Sequence, residues 1–176
     1  MTIKAIHEYL SEEKISNRIA EMGAEISEVY GDETVCLICI LKGSVFFTVD
    51  LAKRITSPVE LEFMCVSSYG SGTKSSGVVK ITKDLDVNIE GKNVLLVEDI
   101  IDSGRTLSYL LENLKTRNPK SLRLCTLLDK PDRRVVDVDV DYVGFTIPDE
   151  FVVGYGLDYD QKYRNLPYIG YVEIEE

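Results

Sequence analysis

The segment 98–106 brings acids, hydroxyl residues and a glycine together in an order that suits phosphate chemistry. Glu98, Asp99 and Asp102 come first and could bind sugar hydroxyls or hydrated Mg2+, or transfer a proton. They are followed by Ser103, Gly104, Arg105 and Thr106. A glycine lets a phosphate approach the backbone, hydroxyls donate hydrogen bonds, and the free N–H groups at a helix N-terminus attract anions. The segment therefore indicates a phosphate site beside acid–base or magnesium chemistry.

Apolar residues on both sides of this segment predict the elements that position it. The run 94–97 is typical of a buried parallel strand. The leucines at 107, 110, 111 and 114 recur at helical spacing, so a helix should open directly after the phosphate segment. Taken singly, the same residues also fit an ordinary strand-to-helix turn with Ser103 as the N-cap.

The rest of the chain predicts strands that alternate with helices. Helices are expected over 11–28 and after Ser44, which could cap the second one, and Pro119 should end the helix that begins near 107. Strands are expected over 35–41, 60–67, 78–82, 122–128, 140–145 and 151–153. This alternation favours an α/β fold with a mostly parallel sheet flanked by helices, in which ligands bind at the carboxyl ends of the strands. No repeat or linker divides the chain, so residues 1–176 should form a single domain, with 67–77 as a mobile Ser/Gly-rich loop.

Composition narrows the class of protein further. The 176 residues carry a formal charge of −10, which argues against nucleic-acid binding. The cysteines lie in apolar runs at 36, 39, 65 and 125 and are expected to be reduced core residues, as in a cytoplasmic protein. No stretch has the apolar length of a signal peptide or a membrane span, so no membrane partner is expected.

As a unit, the segment 94–107 resembles the 5-phosphoribosyl-1-pyrophosphate motif of the type I phosphoribosyltransferases. Four further segments narrow the resemblance to the hypoxanthine-guanine phosphoribosyltransferases: LKGS at 41–44, SSYGSGTKSSG at 67–77, LLDKPDRR at 127–134 and GFTIPDEFVVGYGLDYDQKYRNLPYIGYV at 144–172. The resemblance runs from about Val35 to the C-terminus and is weakest over the first thirty residues. It implies the type I phosphoribosyltransferase fold, with a small hood formed from the terminal segments.

The resemblance implies transfer of 5-phosphoribosyl to N9 of hypoxanthine or guanine, which gives IMP or GMP and pyrophosphate. Asp102 would be the general base or acid near purine N7, and 102–106 would bind the 5-phosphate. Glu98 and Asp99 would lie near the ribose hydroxyls and their Mg2+, and the residue at the position of Ile100 contacts the base.

The same resemblance assigns the other substrate contacts. Leu41, Lys42 and Gly43 would bind pyrophosphate, with a cis peptide bond between Leu41 and Lys42. Asp158 would hold the Mg2+ on pyrophosphate, and Arg164 would contact pyrophosphate directly. The remaining assignments are the purine-binding residues Lys130, Phe151 and Val152, and Ser68 and Tyr69 at the start of a loop that closes over the site. Lys130 would donate to the 6-oxo group, Phe151 would stack on the purine ring, and the backbone of Val152 would read the base edge.

Three alternatives remain open. The base could be xanthine or adenine, although an ammonium donor at Lys130 argues against adenine, whose 6-amino group also donates. The chain could be a regulatory RNA-binding protein on the same fold, for which its acidic charge is unfavourable. It could also be a non-catalytic nucleotide-binding module, against which Asp102 and Asp158 speak. By analogy with the family we expect a homodimer or homotetramer.

Overall fold

The computed structural model describes residues 3–68 and 79–175. These residues form three α-helices, one 3-10 helix and nine strands, and the strands are arranged in two sheets. In chain order the elements are β1 (Ile3–Leu10), α1 (Glu12–Tyr30), β2 (Val35–Leu41), α2 (Val45–Ala52), β3 (Val59–Ser68), β4 (Val79–Lys83), β5 (Asn93–Ile101), α3 (Arg105–Lys115), β6 (Ser121–Asp129), the 3-10 helix (Pro131–Arg133), β7 (Tyr142–Thr146), β8 (Val152–Val153) and β9 (Ile169–Ile174).

The larger sheet has the strand order β4-β3-β2-β5-β6-β7. All its pairs are parallel except β3–β4, which is antiparallel. The central strands β2 and β5 are buried along almost their whole length, which explains their continuous apolar sequences. The predicted α/β fold with a mostly parallel sheet is confirmed.

Helices cover both faces of this sheet. On one face α1 and α2 pack their apolar residues, such as Ile19, Met22 and Phe47, against Leu37 and Leu95. On the other face α3 packs the leucines at 107, 110 and 114 against Ile38, Leu96 and Leu124. The helical spacing of these apolar residues is what allows each helix to bury one stripe.

A second, smaller sheet consists of β1, β9 and β8 in that order, with antiparallel pairing. It brings the two ends of the described chain together, since Ile3 pairs with Ile174. We call this sheet, with the segment 154–168 between β8 and β9, the hood. The family resemblance implied the hood, but the sequence pattern did not predict β1 or β9. Few residues of these two strands are fully buried, so the strands lack a strong apolar pattern.

Several local expectations differ from the structure. The strand β5 continues to Ile101, because Glu98, Ile100 and Ile101 still pair with β6. The helix α3 ends at Lys115, before Pro119, and is followed by Asn118 with a positive φ of 53°. Ser44 precedes α2, but its hydroxyl does not cap the helix and instead donates to the Ile40 carbonyl at 2.6 Å.

The cysteine and membrane expectations can be compared in the same way. Cys36, Cys39 and Cys125 are free and buried as expected, whereas Cys65 is only partly buried because it lies towards the end of β3, beside the edge strand β4. No helix of the described residues is long and apolar enough to cross a membrane. Most of the predicted loop 67–77, including Tyr69, lies outside the described residues.

Candidate active site

The predicted site residues collect where three neighbouring parallel strands end. β5 lies between β2 and β6 in the sheet. The loop 41–43 follows β2, the acids at 98–102 lie at the end of β5, and Lys130 follows β6. Since the carboxyl ends of parallel strands meet at one edge, segments far apart in the sequence become neighbours there. Ser68, the last residue of β3, is at the same edge of the sheet.

The loop after β2 lies directly against the acids of β5. A Cβ atom added to Gly43 would lie 1.8 Å from Oδ2 of Asp99, so only glycine allows this approach. The peptide bond between Leu41 and Lys42 is cis, as the resemblance implies. The proposed pyrophosphate loop is therefore in direct contact with Asp99, one of the proposed metal-binding acids.

The two adjacent acids of β5 have different environments. The Glu98 side chain is buried, and its Oε1 accepts a hydrogen bond from the backbone N of Asp99 at 3.1 Å. Burial, followed by the charge of Asp99, raises the pKa of the Glu98 carboxyl well above its ordinary value. Asp99 accepts from the backbone N of Ile100 at 2.8 Å and is partly exposed.

The predicted phosphate loop has the geometry of a helix N-terminus. Gly104, rather than Ser103, is the N-cap residue of α3, and its φ of +82° is one that glycine adopts without strain. A Cβ at Gly104 would lie 2.4 Å from the Val136 carbonyl oxygen. The Ser103 carbonyl accepts from the backbone N–H groups of Val135 and Val136, at 2.9 and 3.1 Å. The segment after the 3-10 helix therefore supports the loop from outside.

Two arginines contact Asp102 at this edge of the sheet. Its Oδ1 accepts a hydrogen bond from Nε of Arg133 at 3.1 Å, and its backbone carbonyl accepts from Nε of Arg134 at 3.3 Å. Arg134 also pairs with Asp129, while Nη1 of Arg133 lies 3.6 Å from Oδ2 of Asp149. The basic segment 130–134 thus folds over the acid that we expect to exchange a proton with the purine.

The predicted purine residues lie where β6 meets the hood. Lys130 is 8% exposed, and its Nζ donates to the Glu150 carbonyl at 2.6 Å and lies 3.8 Å from Oδ1 of Asp149. Phe151 is 47% exposed and meets the Tyr159 ring edge-on at 5.8 Å, whereas Val152 is buried in β8. Because the Phe151 ring is open to solvent, core packing does not explain this residue.

A third group of predicted residues lies in the hood segment. Nη2 of Arg164 pairs with Oδ1 of Asp158 at 3.0 Å, and Nη1 donates to the Gly156 carbonyl at 2.7 Å. Lys42, from the loop after β2, donates to Oε1 of Gln161 at 3.2 Å. Lys42 and Arg164 line an open cavity of about 630 Å³. Lys42 and Arg164, both proposed to bind pyrophosphate, are therefore neighbours although they are distant in the sequence.

The proposed metal-binding acids are not gathered into one cluster. Glu98 and Asp99 are at the end of β5, while Asp158 is in the hood beside Arg164. Among residues 3–68 and 79–175, no group of three or more His, Cys, Asp or Glu side chains is arranged to hold a metal ion.

Residues 5–160 of the chain match the family described as the phosphoribosyl transferase domain. This chain belongs to the phosphoribosyltransferase family. The match spans the proposed site residues at the ends of β2, β5 and β6, as well as Phe151 and, in the hood, Asp158.

Relatives of this phosphoribosyltransferase resemble it over almost its whole length. A hypoxanthine-guanine phosphoribosyltransferase from Mycobacterium avium is 59% identical over 167 residues, which cover 92% of this chain and 82% of the relative. The crystal structure of a hypoxanthine-guanine phosphoribosyltransferase from Bacillus anthracis superposes with a TM-score of 0.92 at 49% identity, covering 98% of this chain and 100% of the other. That of a hypoxanthine phosphoribosyltransferase from Staphylococcus aureus gives a TM-score of 0.90 at 51% identity, with coverage of 97% and 92%.

Sequence reasoning missed several residues that shape the site of this phosphoribosyltransferase. Arg133 and Asp149 contact the proposed functional residues Asp102 and Lys130. Gln161 bridges Lys42 and Arg164, because its Oε1 accepts from both side chains. The sequence indicated Arg133 only through its place in the basic run 130–134. Nothing in the sequence indicated Gln161, because Lys42 is distant in the chain and contacts between polar side chains follow no periodic pattern.

Proposed function

We propose that this chain transfers the 5-phosphoribosyl group from 5-phosphoribosyl-1-pyrophosphate to N9 of hypoxanthine or guanine and releases pyrophosphate. Membership of the phosphoribosyltransferase family and the names of its relatives support this reaction class. Bases with a 6-oxo group are favoured over adenine because of the Lys130 side chain in the proposed purine site.

The observation that carries the proposal is the position of the Lys130 ammonium. It is almost fully buried, and it donates to the carbonyl of Glu150, the residue that directly precedes the exposed Phe151. An ammonium can only donate hydrogen bonds, so it suits the O6 acceptor of hypoxanthine or guanine and leaves the 6-amino group of adenine without a partner. Phe151 offers a flat apolar face on which a purine ring can stack.

The proposed reaction forms the bond between N9 and C1 of the ribosyl group as the bond from C1 to the pyrophosphate oxygen breaks. The leaving oxygen keeps the electron pair of that bond. The purine loses one proton, which the Asp102 carboxylate accepts near N7. Asp102 is already held by Arg133, and a purine that reaches it would share or replace that contact.

The phosphate groups of the donor have separate proposed sites. The 5-phosphate would bind at the N-terminus of α3, where Ser103, Thr106 and the backbone N–H groups supply donors and Arg105 adds positive charge. Pyrophosphate would bind between Lys42, Gly43 and Arg164. Arginine suits this role because its planar guanidinium can donate two hydrogen bonds to one phosphate.

Magnesium is part of the proposal because the donor set fits it. Glu98 and Asp99 offer carboxylate oxygens at the end of β5, and Asp158 offers another in the hood. Mg2+ typically keeps several waters and uses one or two carboxylates together with substrate phosphates, so a cluster of three acids is not required. When bound, the ion would neutralise charge on the leaving pyrophosphate.

We also propose a homodimer or homotetramer in the cytoplasm. The helix α2 leaves Phe46 and Val49 exposed, at 42% and 43%, and Phe46 lines the same cavity as Lys42 and Arg164. Exposed apolar side chains at neighbouring positions are typical of a contact surface. Four free cysteines, three of them buried, are consistent with a reducing compartment. Light scattering after size exclusion would measure the mass, and a monomer of 19.8 kDa would contradict the oligomer.

The test of function is pyrophosphate release with Mg2+, 5-phosphoribosyl-1-pyrophosphate and each of hypoxanthine, guanine, xanthine and adenine in turn. Rapid release with hypoxanthine or guanine, with little release from adenine, is expected. Chelation of the metal should stop the reaction. No release with any base would contradict the proposal, and equal rates with adenine would contradict the role of Lys130.

A further inference from the structure

The turn 154–156 joins β8 to the residues proposed for pyrophosphate, and its backbone conformation is rare. Gly154, Tyr155 and Gly156 have φ values of +100°, +50° and +102°. Glycine adopts such values readily, but a tyrosine does so only when its surroundings hold it there. A Cβ on Gly156 would lie 2.0 Å from the carbonyl oxygen of Gly43. The turn therefore packs directly on the loop after β2.

Arg164 is attached to the same turn at two points. Its backbone carbonyl accepts from the backbone N of Gly156 at 2.9 Å, and its Nη1 donates to the Gly156 carbonyl at 2.7 Å. The Asp158 carboxylate then pairs with the same guanidinium at 3.0 Å. A shift of Gly156 would consequently move both Arg164 and Asp158 relative to the loop that carries Lys42 and Gly43.

The Tyr155 side chain crosses from the turn to α2. Its hydroxyl donates to Oδ2 of Asp50 at 2.5 Å, and its ring lies 6.3 Å from the Phe46 ring, centroid to centroid. The tyrosine is buried, and this burial, followed by the hydrogen bond to Asp50, raises the pKa of its phenol well above the ordinary value. The hydroxyl is therefore a permanent donor. Asp50 also pairs with Lys53 at 3.0 Å.

We propose that Tyr155 is a positioning residue for the pyrophosphate half of the active site, acting through Gly156 on Arg164. The inference rests on the proposed function and adds a residue to that site. The helix α2 begins directly after the loop 41–44, so the bond from Tyr155 to Asp50 ties the hood turn to the element that also fixes Lys42 and Gly43. The hood turn and the loop after β2, which carry the proposed pyrophosphate-binding residues, are thereby both attached to α2.

The purine half of the site has independent supports. The carbonyl of Phe151 accepts from the backbone N of Val172 at 3.0 Å, and β8 pairs with β9. Lys130 is held by the Glu150 carbonyl and by a backbone hydrogen bond from its own N to the Ile101 carbonyl at 3.0 Å. Loss of the Tyr155 hydroxyl should therefore affect the phosphoribosyl donor much more than the purine.

Tyr155→Phe tests this division, because it keeps the ring and removes only the hydroxyl. We expect the KM for 5-phosphoribosyl-1-pyrophosphate to rise about 3- to 10-fold, the usual effect of one net hydrogen bond, while the purine KM changes by less than about 2-fold. Tyr109→Phe removes the hydroxyl of an exposed tyrosine of α3 and serves as the matched control, with both KM values unchanged.

Asp50 allows the same test from the other side of the bond. Asp50→Ala should reproduce the rise in donor KM. Asp50→Asn keeps an acceptor oxygen, so its donor KM should stay close to that of the wild type. If the two residues act through one contact, the double variant with Tyr155→Phe will be no worse than either single variant. A larger, additive effect would contradict the proposal.

Donor binding measured by calorimetry separates this proposal from the proposed function. A wild-type protein that releases no pyrophosphate would contradict the function, but the donor Kd of Tyr155→Phe would still decide the role of Tyr155. An unchanged donor Kd, or equal weakening of donor and purine, would overturn the positioning role, since general loosening of the fold predicts equal weakening.

Discussion

Arg133 holds Asp102 by a single contact, from Nε to Oδ1 at 3.1 Å, and its Nη1 lies 3.6 Å from Oδ2 of Asp149. The side chains of Arg133 and Asp102 are 53% and 51% exposed. Solvent screens such a half-exposed pair, so the pair adds little to stability. The acid that we assign to proton transfer is therefore kept in place by a contact that a bound purine can displace.

Asp102→Asn should abolish most turnover while it preserves donor binding. The amide keeps the size of the carboxylate and can still accept from Arg133, but it cannot take up the proton from the purine. We expect kcat to fall about 10²- to 10⁴-fold, the usual contribution of a general base. Stopped-flow pyrophosphate release and donor calorimetry would measure the two effects, and full activity in this variant would refute the assignment.

Arg133→Gln should have a small effect. Because the pair with Asp102 is half-exposed, its loss should change kcat/KM for the purine by at most about fivefold. Arg117→Gln is a matched control, since Arg117 pairs with Asp84 instead of a proposed site residue. A loss of a hundredfold or more would show that Arg133 contacts the substrate itself.

Lys130→Gln should weaken discrimination between purines. The amide can accept from a 6-amino group as well as donate to a 6-oxo group, whereas the ammonium only donates. We expect the ratio of kcat/KM for hypoxanthine to that for adenine to fall about 10²-fold. Lys162→Gln changes a lysine outside the proposed purine site and should leave this ratio as it is. An unchanged ratio in Lys130→Gln would remove the role of Lys130 in base selection.

Gly43→Ala should impair the site through a steric clash. The new Cβ would lie 1.8 Å from Oδ2 of Asp99, so the loop or the acid must move. We expect at least a tenfold lower kcat and a higher requirement for Mg2+, because a displacement of about 1 Å is costly in an active site. Gly91→Ala is the control, since no atom lies within 4 Å of its Cβ and only its φ of +72° is strained. Equal kinetic effects from both changes would contradict the clash.

Cysteine alkylation should follow burial. At pH 8 iodoacetamide should modify Cys65 first, because it is only partly buried, and should spare Cys36 and Cys125. Burial raises the pKa of the Cys36 thiol to about 11, so this residue stays protonated at pH 8 and its labelling should increase only as the pH approaches that value. Intact and peptide mass spectrometry would give the order, and early labelling of Cys36 would contradict it.

Apolar runs and short contiguous motifs in the sequence predict many of the central elements of the fold. The strand 35–41 was predicted with the bounds that β2 has, because a buried parallel strand is apolar without interruption. The phosphate loop was recognised because its glycine, hydroxyls and acids are contiguous. The end of β5 was misjudged, since Glu98 and Asp99 are polar although the strand still pairs with β6 beyond them.

Residue types and spacings within short stretches of chain predict the α/β class, the order of the central elements and the phosphate loop at 98–106. The purine-binding segments were assigned by the resemblance to a known family. Three contacts depend on the folded structure alone: Arg133 hydrogen-bonds to Asp102, Gly156 packs on Gly43, and Tyr155 hydrogen-bonds to Asp50. The bonded pairs are separated by 31 and 105 residues, so no local pattern selects them. Their contacts arise because parallel strands end at one edge of the sheet and the hood brings the C-terminal segment back to that edge.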